Sequence, residues 1–135
     1  IDRLKLQEFV KIPGSFSQAD APNVYGAADI FLLTTHQGAC PNAVLEAMAC
    51  GLPVLHSSNG GVSELVGTEA GIGLECPEDW ETRRPPTAEA LGAGMVEIAG
   101  RRKAMSQAAR ARAVERFDIQ PWIQRHREVF EQLLK

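Results

Sequence analysis

Residues 42–53 read NAVLEAMACGLP and carry a single charged side chain, Glu46, in an otherwise small and apolar stretch. The pattern predicts a helix, because Pro41 suits a first turn and Gly51 ends the helix before the apolar run that starts at Pro53. A carboxylate on a helix that is apolar on most faces costs desolvation free energy unless a partner or a ligand meets it. Glu46 is therefore the first candidate for a binding residue.

Short apolar runs alternate with helical patterns on both sides of this segment, which is typical of a parallel sheet covered by helices. The runs predict strands at residues 8–12, 29–35, 53–57 and 71–74. Helices are predicted at residues 22–28, around Glu46, at 60–66 and, in three segments, across 87–135. Residues 76–86 are interpreted as an internal polar loop. We therefore expect residues 1–135 to form a single α/β domain, with a partial Rossmann-like, mostly parallel sheet of about four strands, flanking helices and a helical C-terminus.

The composition argues against several kinds of partner. The chain has 135 residues, of which 44% are hydrophobic and 23% charged, and its formal net charge is -3. It lacks the basic footprint of nucleic-acid or anionic-membrane binding, and no apolar run approaches the roughly 20 residues that span a bilayer. Its three cysteines lack metal-ligand spacing and predict reduced thiols in the cytoplasm rather than disulfides or a zinc site. Because the chain does not begin with methionine, it reads as a piece of a longer protein.

Two loops that follow predicted strands form the candidate ligand-binding region, because open parallel sheets bind ligands at the carboxyl ends of their strands. The first, residues 36–41, leads into the helix of Glu46, whose terminal N–H groups and partial positive charge suit a phosphate. The second, residues 57–61, contains Gly60 and Gly61, which allow close backbone approach and positive φ. Glycine turns before helices are also common in ordinary α/β domains, so the pair alone leaves both interpretations open.

Three motifs in order carry a family resemblance: CPNAVLEAMACGLPVL at residues 40–55, GGVSELV at 60–66 and AGIGL at 70–74. Together they resemble the C-terminal domain of the group 1 glycosyltransferases, which are retaining, nucleotide-sugar-dependent enzymes of the GT-B fold. The resemblance implies half of a GT-B fold and the donor-binding part of such an enzyme. It also implies a nucleotide-diphosphate sugar as substrate, with no obligatory metal and no other cofactor.

The resemblance also implies roles for individual residues. Glu46 matches the second glutamate of the family's Glu-x7-Glu motif, which accepts hydrogen bonds from the donor's ribose hydroxyls; a carboxylate suits this because it offers several acceptor sites. The alternative is a helix-face glutamate satisfied by a basic neighbour or water. Further residues fall where the family contacts the sugar and diphosphate: Gly38, Ala39, Cys40, Pro41, Asn42, Ala43, Val44, Gly60 and Gly61, with His36 and Gln37 as additional candidates.

The chain departs from the family pattern in two respects. The first glutamate of the motif would stand at residue 38, where this chain has Gly38, so no catalytic residue is assigned. The family's domain also begins with two further strand-helix units that carry an Arg and Lys pair, and an N-terminal acceptor domain precedes them; none of these lies within this chain. We expect the isolated chain to be inactive and to form a homodimer through the sheet edge that the missing units would cover.

Two other functions remain open. A non-catalytic nucleotide-binding or interaction module derived from the same fold is favoured by Gly38 and by the missing basic pair. A different GT-B enzyme, such as a nucleotide-sugar epimerase, fits less well because the Glu46 helix and the Gly60–61 segment match the transferases.

Overall fold

Three parallel strands form one sheet in the computed structural model of the chain, which describes residues 1–36, 38–77 and 81–134. The strands are β1 (Phe31–Leu33), β2 (Val54–Ser57) and β3 (Gly71–Leu74), hydrogen-bonded in that order. The helices are a 3-10 turn at Asp2–Leu4, α1 (Ala21–Gly26), α2 (Asn42–Ala49), α3 (Val62–Val66), α4 (Ala88–Phe117) and α5 (Ile119–Leu133). The α/β class, the parallel sheet and the helical C-terminus are confirmed.

The strand predicted at residues 8–12 is wrong, so the described sheet has three strands rather than about four. This segment turns back on itself: the N–H groups of Phe9 and Val10 donate to the Leu6 carbonyl at 3.0 and 2.9 Å. The side chains of Phe9 and Ile12 are 81% and 79% exposed. A strand depends on the ladder that a neighbouring strand supplies, and here the amides are engaged in a local turn instead.

The sheet is covered on both faces, and β2 is buried along its whole length. On one face Val54 packs against Val44 and Met48 of α2 and against the residues of α3. On the other face Leu55 packs with Ile98 and Met105 of α4. The short α1 adds a smaller cluster that includes Tyr25. Within α1, Tyr25 is buried, whereas Val24 is 41% exposed.

Helix α4 is continuous for 30 residues, although the sequence predicts two segments that meet near residue 100. A glycine inside a helix costs only about 1 kcal/mol, and packing on both sides of Gly100 outweighs that cost. The first part of α4 lies on the sheet, where a Cβ on Gly94 would come within 2.7 Å of Leu55 Cδ1. Farther along, Ala109 and Ala113 pack in the cluster formed by α2 and α3.

Arginines of α4 satisfy the carboxyl ends of two shorter helices, whose last carbonyls have no intrahelical partner. Arg112 donates to the carbonyls of Leu65 and Glu64 at 2.6 and 2.7 Å, and Arg110 donates to the carbonyl of Ala49. These cations therefore have a structural role. They tie α4 to the two helices that begin at the candidate loops.

Candidate functional site

The two candidate loops meet directly. Gly38 and Gly60 form an isolated parallel bridge, and the Gly61 N–H donates to the Gly38 carbonyl at 3.0 Å. Gly60 has φ of 89°, which favours glycine. A Cβ on Gly61 would lie 2.0 Å from the Ala39 carbonyl oxygen, so only glycine fits there. At Gly61, the absence of a side chain lets the two loops approach each other closely.

Helix α2 begins at these loops and has eight residues, with Pro41 as its N-cap. Pro41 supplies no side-chain cap, and the first amides of a helix have no intrahelical acceptor. Asn42 and Ala43 therefore present their N–H groups toward the loop end. Val44 differs, because its N–H donates to the Pro41 carbonyl at 3.0 Å and its side chain is fully buried in the core.

The other predicted site residues lie around this helix start. Ala39 and Cys40 are exposed in the loop, whereas Gln37 falls outside the described residues. Residues 78–80 of the predicted 76–86 loop fall outside them as well. The remaining residues of that loop lie outside helix and strand, between β3 and α4.

Glu46 lies in the second turn of α2 and is half-buried. Its Oε2 accepts a hydrogen bond from the Tyr25 hydroxyl at 2.9 Å. Burial, followed by the hydrogen bond to Glu46 and that residue's negative charge, raises the pKa of Tyr25 to about 12. The partner is thus a phenol rather than the basic group or water considered from the sequence. A carboxylate has several acceptor positions, so this bond leaves capacity for a ligand.

A cleft of about 640 Å³ opens at the carboxyl ends of β1 and β2, beside the joined loops. Its lining is apolar at the end of β1 and mostly polar or cationic elsewhere. The lining residues are Leu32, Leu33, Thr34, Thr35, His36, Ser57, Asn59, Arg83, Arg84 and Pro85. Arg83 and Arg84 are not among the residues that the sequence singles out; the available signal was two adjacent cations in the loop that follows a strand.

His36 lies in the wall of this cleft. Its Nδ1 is 3.4 Å from the amide nitrogen of Asn59, which is itself 2% exposed. The His36 Nε2 is buried and has no hydrogen-bond partner among the described residues. Buried polar atoms in proteins are nearly always paired, so this nitrogen is an exception that calls for a ligand or a water.

A second histidine, His56, lies within β2 and is 2% exposed. Its Nδ1 is 2.9 Å from the carbonyl of Ser57. Burial lowers the pKa of His56, and the bond to the Ser57 carbonyl opposes this shift in part. His56 is therefore a neutral core residue of the sheet.

Within the described ranges, no three His, Cys, Asp or Glu side chains come together in a way that could hold a metal ion. Among the helices described, none is long and apolar enough to cross a membrane.

Known proteins resemble this chain in sequence. A family model described as "Glycosyl transferases group 1" matches residues 1–83. The putative colanic acid biosynthesis glycosyltransferase WcaL of Salmonella typhimurium is 32% identical over 105 residues, which cover 73% of this chain and 24% of WcaL. The D-inositol 3-phosphate glycosyltransferase of Streptosporangium roseum is 31% identical over 102 residues, covering 69% of this chain and 23% of that enzyme.

Solved structures resemble the whole described fold. Sucrose-phosphate synthase from Thermosynechococcus elongatus superposes with a TM-score of 0.83 at 23% identity, over 98% of this chain and 32% of that one. Anabaena HepE, solved in complex with UDP, gives a TM-score of 0.77 at 28% identity, over 97% of this chain and 34% of HepE. The chain thus spans about a quarter of the curated relatives and a third of the solved structures. Because the family model matches 83 of its 135 residues, this chain belongs to the group 1 glycosyltransferases.

Proposed function

We propose that this chain is the donor-binding part of a retaining glycosyltransferase and holds a nucleotide-diphosphate sugar for transfer to an acceptor. The observation that carries the proposal is Glu46, a half-buried carboxylate in the second turn of a helix that begins at the joined loops. Membership of the family and the UDP bound by the structurally similar HepE support the assignment.

The ribose hydroxyls are the proposed partners of Glu46. Two vicinal hydroxyls donate to one carboxylate, and such charge-assisted bonds are stronger than neutral ones. Tyr25 already donates to Oε2 and holds the carboxylate in place. The amides of Asn42 and Ala43, at the positive end of the α2 dipole, are the proposed backbone contacts to the diphosphate and sugar.

We assign the isolated chain a role in binding the donor and not in breaking the donor's bond to its sugar. Position 38 is glycine, and a Cβ there would already meet Thr35 Oγ1 at 3.1 Å. A side chain at this position would therefore require the Thr35 side chain to shift by a few tenths of an ångström. We expect the purified chain to show no turnover of nucleotide sugars, and measurable release of free sugar would contradict this.

The experiment is a calorimetric titration of the chain with UDP, GDP and ADP, repeated with 2′-deoxy forms of the diphosphate that binds. Glu46→Ala should weaken binding about 10- to 100-fold, which corresponds to a lost hydrogen bond to a charged group. The matched control is Glu64→Ala, which removes an exposed glutamate on α3. The 2′-deoxy form should bind more weakly than its parent only when Glu46 is present. Equal binding by wild type and Glu46→Ala would overturn the ribose role.

A non-catalytic binding module is the second candidate, and Gly38 favours it. The two candidates differ in what a reconstituted partner domain would do. If the chain is joined to the part of WcaL, or of a similar relative, that it does not cover, transfer to acceptor supports the enzyme. Nucleotide binding that persists without transfer supports the module.

Self-association through the β1 edge is proposed as well. In the described sheet β1 pairs only with β2, and Leu32 at this edge is 42% exposed. Sedimentation equilibrium should give twice the 14.7 kDa mass of the chain, and Leu32→Lys should shift the species toward monomer. Val96→Lys, at a 74% exposed position on α4, is the matched control. A monomer at all concentrations would overturn the dimer.

The cytoplasm is the proposed location. Cys40, Cys50 and Cys76 are all free thiols, which is the usual state in a reducing compartment. Thiol titration of protein isolated under alkylating conditions would test this, and a thiol found oxidised in the cell would contradict it.

A further inference from the structure

We propose that Arg83 and Arg84 bind the diphosphate of the donor in the cleft at the carboxyl ends of β1 and β2. This inference rests on the proposed function and adds a cationic contact that lies within the chain itself.

The lining of the cleft suits an anion. Arg83 and Arg84 contribute two positive charges, and none of the described lining residues carries a carboxylate. The hydroxyls of Thr34, Thr35 and Ser57 add hydrogen-bond donors. The volume of about 640 Å³ lies within the usual range of small-molecule sites.

The orphan nitrogen of His36 is a second, independent indication of a ligand. As the side chains are placed, the Asn59 amide nitrogen faces Nδ1 at 3.4 Å. An amide nitrogen only donates, so in this contact Nδ1 is the acceptor and Nε2 is the nitrogen available to donate. That buried N–H has no acceptor among the described residues. A phosphate oxygen would satisfy it.

Arginine is the appropriate residue for this contact. Its planar guanidinium offers parallel N–H groups that match two phosphate oxygens, and it remains charged at every relevant pH. Both arginines come from the segment between β3 and α4, whereas His36 comes from the segment after β1. A diphosphate held between them would therefore be contacted by two separate parts of the fold.

The experiment titrates the chain with UDP, uridine and inorganic pyrophosphate at low salt, with NMR detection for weak binding. The test variant is the double substitution Arg83→Ala and Arg84→Ala. Its matched control is Arg101→Ala and Arg102→Ala, another adjacent pair, which lies on α4 and bonds to Glu97 and Asp29. We expect the test variant to lose about 10- to 100-fold in affinity for UDP. Uridine affinity should not change, and the control should bind like wild type.

The outcomes separate this inference from the proposed function. UDP binding that is unchanged in the test variant overturns the arginine contact and leaves the proposed function standing. An equal loss for uridine and UDP also overturns it, because the effect is then not on phosphate. If wild type binds none of UDP, GDP and ADP, the proposed function fails; pyrophosphate binding that requires the arginine pair would still support the cationic cleft. Absence of pyrophosphate binding as well would overturn both.

Discussion

Helices α4 and α5 adjoin at Asp118 and begin in the same way, yet they differ completely in burial. Each has a side-chain cap: Thr87 accepts from the Ala90 N–H at 3.2 Å, and Asp118 accepts from the Gln120 N–H at 2.8 Å. The buried residues of α4 are Gly94, Ile98, Met105, Ala109 and Ala113. Every described residue of α5 is exposed, including the large side chains of Ile119, Trp122, Ile123, Val129, Phe130 and Leu133.

The difference lies in the size of the residues along the packing line. Glycine and alanine let the backbone of α4 approach the sheet and the other helices closely, so that a few larger side chains such as Ile98 fill the remaining space. Helix α5 has the stronger apolar stripe but no surface of the described chain to pack against. An apolar stripe alone therefore does not bury a helix within the described chain, whereas the small residues of α4 mark where its backbone approaches a neighbour closely.

The largest expected effect compares one substitution in the two helices. Ile98→Ala should lower the free energy of unfolding by about 3 to 4 kcal/mol, because Ile98 is fully buried and its truncation leaves a cavity. Ile123→Ala should change it by less than about 0.5 kcal/mol, because Ile123 is 41% exposed. Urea denaturation of both variants measures this. Similar losses would show that α5 is packed as tightly as α4.

A second comparison tests the small residues within α4. Gly94→Ala should destabilise the fold by about 1 to 3 kcal/mol through overpacking against Leu55. Gly100→Ala should instead stabilise it by up to about 1 kcal/mol, since a Cβ there meets nothing within 4 Å and alanine is the better helix former. Thermal unfolding of the two variants gives the signs. A stabilising Gly94→Ala would mean that close approach is not what this glycine provides.

The stability of the buried sheet should also depend on pH, because His56 lies within β2. The folded state lowers the pKa of His56 because burial penalises the charged ring. The unfolded state therefore binds the proton first as pH falls below about 6.5, and stability decreases from there downward. His56→Leu should flatten the decline in urea midpoint between about pH 6.5 and 5. A slope identical to that of wild type would exclude this histidine as a source.

The smallest effect is expected from removing α5. Deletion of residues 119–135 should change the free energy of unfolding of the remainder by less than about 0.5 kcal/mol, because no described residue of α5 is buried. In the intact chain, amides of α5 should exchange with solvent much faster than those of α4 near Met105. Protection of α5 that equals that of α4 would indicate that a second copy or another surface covers it.

The elements at the centre of the chain were predictable, because apolar runs there are bounded by proline and glycine. The predicted strand at 71–74 matches β3, and that at 53–57 differs from β2 by one residue. The strand predicted at residues 8–12 is wrong because strand pairing depends on a neighbouring strand, which the local sequence does not reveal. The break predicted near Gly100 is absent because the packing that keeps α4 continuous involves residues far away in the chain.

The candidate site was predictable only in part, for similar reasons. Glu46 stands out as a lone charge, but its Tyr25 partner lies 21 residues earlier and is recognised only in the fold. The cleft beside His36 depends on where the segment after β3 runs, so the contribution of Arg83 and Arg84 required the structure. The ligand contacts themselves remain predictions.

The length and position of α4 also bear on how the chain is made. A ribosome produces the chain from its N-terminus, so all three strands exist before the residues that cover Leu55 have been synthesised. Until Ile98 and Met105 emerge, one face of the nascent sheet is bare. Folding can therefore be completed only after nearly the whole of α4 has been synthesised. During that interval the nascent chain exposes apolar surface, which is when a chaperone would protect it most.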